Sequence, residues 1–253
     1  MLLSLIAAVT LLQSPKTEWK LVWSDDFKRN GLPDPKKWGY EVGLVRNNEA
    51  QYYTDRRREN ARIEGGKLIL EARREEFKGS HYTSASINTF GKFTFQYGRV
   101  EVCAKLPKTR GSWPAIWMMG EDIPMVGWPR CGEIDIMEHV QQTPGTIYST
   151  VHQAKDGGGH QSKGGKMQID DYADSFHVYG MEWSKSGLDF FVDSKPFFSF
   201  PYAGPSTWAF DRKMYLMLNL AIGGSWGGEN GIDEENFPCR MEVKYVRIYQ
   251  ASR

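Results

Sequence analysis

The 253-residue chain has little that would tie it to a metal, a nucleic acid or a bilayer. It has only three cysteines, Cys103, Cys131 and Cys239, and no CxxC pair. That excludes a zinc framework and allows at most one disulfide, so all three are read as small buried apolar residues. Charge of one sign is also missing. Lys plus Arg total 32 against 31 for Asp plus Glu, a net charge of +1. No broad electrostatic footprint for nucleic acid or an anionic membrane exists. The longest apolar stretch, MLLSLIAAVTLLQS at the start, is shorter than the roughly 20 residues a bilayer-spanning helix needs. It resembles the apolar core of a secretory signal, without a basic leading region or a clear A-x-A site. Residues 1–17 are therefore expected to be a signal peptide or a disordered N-terminus, and the protein to be secreted or periplasmic. No repeat, low-complexity block or Pro/Ser-rich linker divides the remainder, which is read as one domain over residues 18–253.

Glycine turns and aromatics are plentiful. Asn30-Gly31, Gly65-Gly66, Gly157-Gly158-Gly159, Gly164-Gly165 and Gly223-Gly224 punctuate short alternating runs such as KLILE (67–71), GRVEV (98–102), LDFFV (188–192) and VKYVRIY (243–249). This pattern predicts many short strands and an all-β sandwich of two sheets. Helical period is weak everywhere, and the one candidate is Ile169 to Phe176. With 9 Trp, 12 Tyr and 13 Phe, the aromatic fraction reaches 13 %. Such a set either fills a β core or lines a groove for flat, uncharged ligands.

The stretch GEIDIMEHV, residues 132–140, carries three acids in six positions among residues that favour burial. On a regular strand Glu133 and Asp135 share a face and Glu138 falls on the other. One extra residue near Ile136-Met137, a β-bulge, would restore Glu138 to the first face. Three acids on one face suit two carboxylates doing chemistry with a third tuning their protonation. They equally suit a solvent-facing stripe or a cation site. Four strand rises would hold the Glu133 and Glu138 Cα atoms roughly 13 Å apart. A retaining glycosidase needs carboxyls about 5–5.5 Å apart, so the strand would have to curve.

GEIDIMEHV resembles the E-x-D-x-x-E signature of glycoside hydrolase family 16 in its bulged, laminarinase-like form. The resemblance continues, in order, through LVWSDDF (21–27), NNEAQYYTDRRRENARIEGGKLIL (47–70), YTSASINTFGKFTFQYGRVEVCAKLP (82–107), GSWPAIWMMG (111–120), MEWS (181–184), NLAIGGSWGG (219–228) and VKYVRIYQ (243–250). It implies a concanavalin A-like β-jelly roll whose concave sheet forms a cleft for β-glucan. It also implies retaining endo-hydrolysis of β-1,3-glucosidic bonds, with Glu133 as nucleophile, Glu138 as general acid/base and Asp135 between them. Trp113, near the cleaved unit, Trp117, and Trp226 on a Gly-rich loop are expected to stack on sugar. His152 is expected beside the acid/base. Asn48 and Glu49 are expected to contact glucosyl units, although Asn at a turn is also a common cap. His160 and the glycine-rich stretch 157–165 read as a mobile loop without chemistry.

One departure from the family pattern concerns calcium, which many relatives bind on the convex side. Lys244 stands where an Asp ligand would be, and an ammonium cannot ligate Ca²⁺. The expectation is no cofactor and no metal, with Lys244 replacing the ion and pairing with Asp26. The expected partner is a β-glucan polysaccharide acted on by a monomer, with no nucleic acid or membrane. The same fold acting on mixed β-1,3/1,4-glucan or a sulfated algal galactan is the alternative, followed by a non-catalytic glucan-binding protein. The presence of both Glu133 and Glu138 speaks for an enzyme.

Overall fold

A computed structural model describes residues 17–205 and 208–252. Residues 1–16 of the expected signal segment lie outside them. Among the described residues, no helix is long and apolar enough to cross a membrane.

The short alternating runs form two sheets. In the first, of seven strands, the order from edge to edge is His160–Gln168, Thr146–Ala154, Glu133–Glu138, Ser112–Gly120, Met214–Ile222, Ser86–Asn88 and Gly39–Tyr40. The second has ten strands. Its spine is Gly98–Lys105 flanked by His177–Ser184 and Cys239–Ala251, with Lys67–Phe77 beyond. All pairings are antiparallel except Gln51–Tyr53 with Ser80–Ser84. The result is the two-sheet sandwich of jelly-roll type that the alternation predicts.

Alternation also locates the core. Ile116 and Met118 point inward with Ile134, Leu216, Leu218 and Leu220, against Val100, Val102, Met181, Leu70 and Val246 of the other sheet. Each such side chain contributes about 1.5–3 kcal/mol by leaving water. Ala115, Trp117, Met119, Tyr215 and Met217 take the opposite face and form a second, smaller apolar cluster with Cys131. The strand Met214–Ile222 is therefore buried on both faces. Cys103, Cys131 and Cys239 are buried free thiols.

The bulge lies where the acid spacing predicts it. Against the strand Ser112–Gly120, Asp135 pairs with Trp117, Met137 with Ile116 and Glu138 with Ala115, leaving Ile136 as the extra residue. Against Thr146–Ala154, Asp135 pairs with Thr150 and Glu138 with Tyr148. Ile136 and Met137 both enter the core, and the Ser149 hydroxyl donates to the Ile136 carbonyl at 2.7 Å. Ser149 is fully buried. Ser149→Ala should cost about 1–3 kcal/mol, the penalty of leaving that acceptor without its donor. Urea denaturation checks this, and a change below about 0.3 kcal/mol would mean the bulge stands without the bond.

Three expectations are corrected. Residues 169–176 form turns, not a helix; the Asp171 carbonyl accepts from the amides of Asp174 and Ser175 and the chain then re-enters a strand at His177. The stretch from His160 is a strand, His160–Gln168, rather than a loop. Lys244 does not pair with Asp26. A register shift between Val243 and Tyr245 makes Lys244 the extra residue there, and its ammonium sits 4.1 Å from the centre of the Phe176 ring. Arg247 takes Asp26 instead, at 3.1 Å.

Candidate active site

A cavity of about 610 Å³ opens on the outer face of the seven-stranded sheet. Its floor is built by the outward residues Trp113, Ala115, Trp117 and Met119 of one strand, Asn219 and Ala221 of a second, and Glu133, Asp135 and Glu138 of a third. The bulge is what places all three acids there.

Their surroundings differ. Glu133 accepts from the Trp128 indole N–H at 2.5 Å. Asp135 is buried, 3 % exposed, and its carboxyl is held well above its ordinary value of 3.8, first by burial, then by the Glu133 charge and a hydrogen bond shared with Glu133. It therefore keeps a proton that bridges toward Glu133. Glu138 retains some exposure to the cleft but sits deep enough for desolvation to raise its pKa strongly. The Trp113 indole donates to Glu138 at 3.0 Å and partly opposes that rise. Glu133 is also among the charges acting on Glu138.

Folding stability inherits the Asp135 shift. The unfolded chain releases this proton near pH 3.8, whereas the folded chain keeps it to higher pH. The stability that protonation contributes is full below the unfolded value and is lost as pH rises through the window up to the raised folded value. Each pH unit in that window costs about 1.4 kcal/mol. Asp135→Asn, which never ionises, should therefore melt above the wild type at pH 8, by a margin that shrinks toward pH 4. Calorimetry at both pH values checks this, and a margin that grows toward acid would refute it.

His152 is the cross-strand partner of Glu133, and its Nε2 lies 3.0 Å from Asp135 Oδ2. It thus stands beside Asp135 and Glu133, and its charge also acts on Glu138, whose cross-strand partner is Tyr148. The approach is too oblique for a hydrogen bond, and Asp135 Oδ2 has no partner. Glu133, Asp135 and His152 offer ligand atoms within 4.8 Å of one another, compact enough for a divalent cation. Within the same group, Glu133 accepts the Trp128 indole hydrogen bond.

Trp226 lines the cavity from a single helical turn, Gly224–Gly227, not from a loose loop. It meets Trp113 edge-on at 5.5 Å and Tyr148 at 5.1 Å. The flanking glycines allow this. Gly224 has φ of 75°, and a Cβ on Gly227 would come within 2.9 Å of the Trp113 Cβ. Trp117 is only 4 % exposed, donates to Asn219 Oδ1 at 2.8 Å and is covered by the Arg46 guanidinium at 4.9 Å. It offers a sugar far less surface than Trp113. Glu49 lines the cavity but is buried and accepts from Gln51, Tyr53 and Asn47. Burial raises its pKa against those bonds. Asn48 is exposed and absent from the lining, where its neighbour Asn47 stands instead.

The motifs give no warning of Arg46, Trp128 or His160 as cleft residues. Trp128, 48 % exposed, lies five positions before Glu133, and that proximity is the only signal it offers. His160 stacks against His152 at 5.1 Å and meets the Trp128 ring at a tilt, 4.7 Å away, so it belongs to the site and not to an idle loop.

The profile of glycosyl hydrolases family 16 matches residues 48–247. The chain is 44 % identical to a β-glucanase of Rhodothermus marinus over 98 % of its own length and 93 % of that protein. Its structure is similar to that of the Rhodothermus marinus laminarinase, with a TM-score of 0.88, 44 % identity, and coverage of 94 % of this chain and 99 % of the other. It is also similar to a LamA variant from Z. galactanivorans in complex with laminaritriose and laminaritetraose, with a TM-score of 0.83, 38 % identity, and coverage of 91 % and 98 %.

Proposed function

The chain belongs to glycosyl hydrolases family 16, and on that premise we propose that it is a retaining endo-β-1,3-glucanase acting on laminarin-type β-glucans. The observation that carries this reading is the unequal treatment of the acids on one cleft face. Glu138 holds its proton above the ordinary range, while Glu133 accepts an indole hydrogen bond and faces the protonated Asp135. Glu138 is the acid that protonates the departing glycosidic oxygen as Glu133 attacks the anomeric carbon. The proton on Asp135 spares Glu133 a neighbouring negative charge. Glu138, now a carboxylate, then takes a proton from the water that hydrolyses the glycosyl-enzyme. Trp113, bonded to Glu138 and braced by Trp226, offers an indole face to the sugar ring beside the cleaved bond.

Cleft charge favours a neutral substrate. Of the four acids that line it, Asp135 and Glu138 hold protons, and its single arginine, Arg46, is already engaged by Glu41. A sulfated galactan would find no unpaired arginine or lysine there to receive its sulfate groups. The β-1,3-glucan reading predicts reducing-sugar release from laminarin, less from lichenan, and none from agarose or carrageenan, assayed side by side. Turnover of a galactan with none of laminarin would overturn it.

The convex face is proposed to need no calcium. The Lys244 ammonium over Phe176, with Arg247 on Asp26, supplies the positive charge in place of an ion. EDTA should leave the melting temperature within about 1 °C. A loss of several degrees, restored by Ca²⁺, would contradict this.

A further inference from the structure

Nothing in the proposed mechanism uses His160, yet its position is specific. A turn of three glycines, Gly157, Gly158 and Gly159, all with positive φ, reverses the chain and delivers His160 to the first residue of the edge strand, opposite Ala154. Its ring lies nearly parallel to that of His152, with an interplanar angle of 11° and Nε2 at 2.9 Å from His152 Nδ1. Its other neighbour is the Trp128 ring. The contacts therefore close a circuit around Glu133: Trp128 donates to Glu133, His160 packs on Trp128, His160 bonds His152, His152 faces Asp135, and Asp135 shares its proton with Glu133.

The bond between the two rings can run in only one sense for each choice of tautomers. His152 Nε2 lies 3.0 Å from Asp135 Oδ2, an acceptor without a hydrogen-bond partner. Even off the hydrogen-bond axis, a ring-nitrogen lone pair repels a carboxyl oxygen at that distance, whereas an N–H there is attracted. Asp135 directs its proton to Glu133, so the hydrogen between ring and carboxyl belongs on His152 Nε2. His152 Nδ1 is then an acceptor, and only a donor at His160 Nε2 satisfies it.

We propose that His160 is a positioning residue that donates from Nε2 to His152 Nδ1 and so fixes His152 as its Nε2–H tautomer, aimed at Asp135. Its consequence is that Asp135 keeps its proton on the side of Glu133 and not on the side of His152. This rests on the reading of Glu133 as nucleophile. The groups acting on His160 favour its neutral form. Burial lowers its pKa first, then the His152 charge; Glu133 opposes, and Lys155 lowers it again.

The test compares His160→Ala with His160→Gln, since a glutamine amide can place its N–H where the imidazole Nε2–H was. On laminarin, His160→Ala should lose at least tenfold in kcat with KM changed less than threefold, and His160→Gln should recover most of that loss. Nitrogen-15 shifts of labelled histidine in the whole protein should show His152 as the Nε2–H tautomer in wild type and in His160→Gln, and as a mixture in His160→Ala. Wild-type kcat in His160→Ala, equal losses in both variants, or an Nδ1–H tautomer of His152 in the wild type would each overturn the assignment. If His160→Ala is fully active while Glu133→Ala is dead, this inference alone fails. If Glu133→Ala is active, the nucleophile reading fails with it.

Discussion

Glu133→Ala should lower kcat on laminarin by on the order of 10⁵-fold while leaving the fold intact, because removing a covalent nucleophile forfeits the two-step route. The side chain is only partly buried at the mouth of an open cleft, and its recorded hydrogen bond is to the exposed Trp128, so the core loses nothing. The cavity left by the truncation can admit a small anion. Azide should therefore restore turnover of a substrate with a good leaving group, entering from the face the carboxylate held and giving the inverted α-glycosyl azide. Full activity in Glu133→Ala would remove the nucleophile from the account. An active variant giving a retained azide would assign the role to another group.

The second large effect concerns Glu138. Its burial gives it a proton to donate, so Glu138→Ala should cost about 10²–10⁴-fold in kcat on laminarin, the usual worth of general acid–base catalysis. The loss should depend on the leaving group. An aryl glycoside that departs as a stable phenolate needs no proton, so its first step should run near the wild-type rate. The second step still lacks its base, and the glycosyl-enzyme should accumulate with an apparent fall in KM. Azide needs no base and should rescue this step, giving the retained β-glycosyl azide. The alkaline limb of wild-type kcat/KM reports the free-enzyme acid and should fall as pH rises through the raised Glu138 value. An equal loss for glucan and aryl glycoside would deny Glu138 the acid role.

Much of this was legible in residue order. The step from Asp135 to Glu138 breaks a period of two, and a strand can accommodate that only by a bulge, so the register shift at Ile136 follows from spacing alone. The alternation of Leu216, Leu218 and Leu220 against Asn219 and Ala221 likewise separates core face from cleft face. What spacing cannot express is how distant segments meet. Arg46 lies over Trp117, and His160 reaches His152 across a hairpin, because of turns whose geometry no motif records. Asn47 and Asn48 show the limit at its finest. Both have positive φ in one turn, and only the first reaches the cavity. Lys244 shows it on the other sheet, where a second bulge turns the ammonium to Phe176 and leaves Asp26 to Arg247.

The central claim is that Glu133 and Glu138 act in sequence through a covalent glycosyl-enzyme, which requires two inversions at the anomeric carbon. Proton NMR of laminarin hydrolysis, followed from the first minutes before mutarotation, reads that stereochemistry directly. The account predicts that the new reducing ends appear first as the β-anomer and drift toward the α/β mixture. Initial release of the α-anomer would mean a single displacement by water and would contradict it.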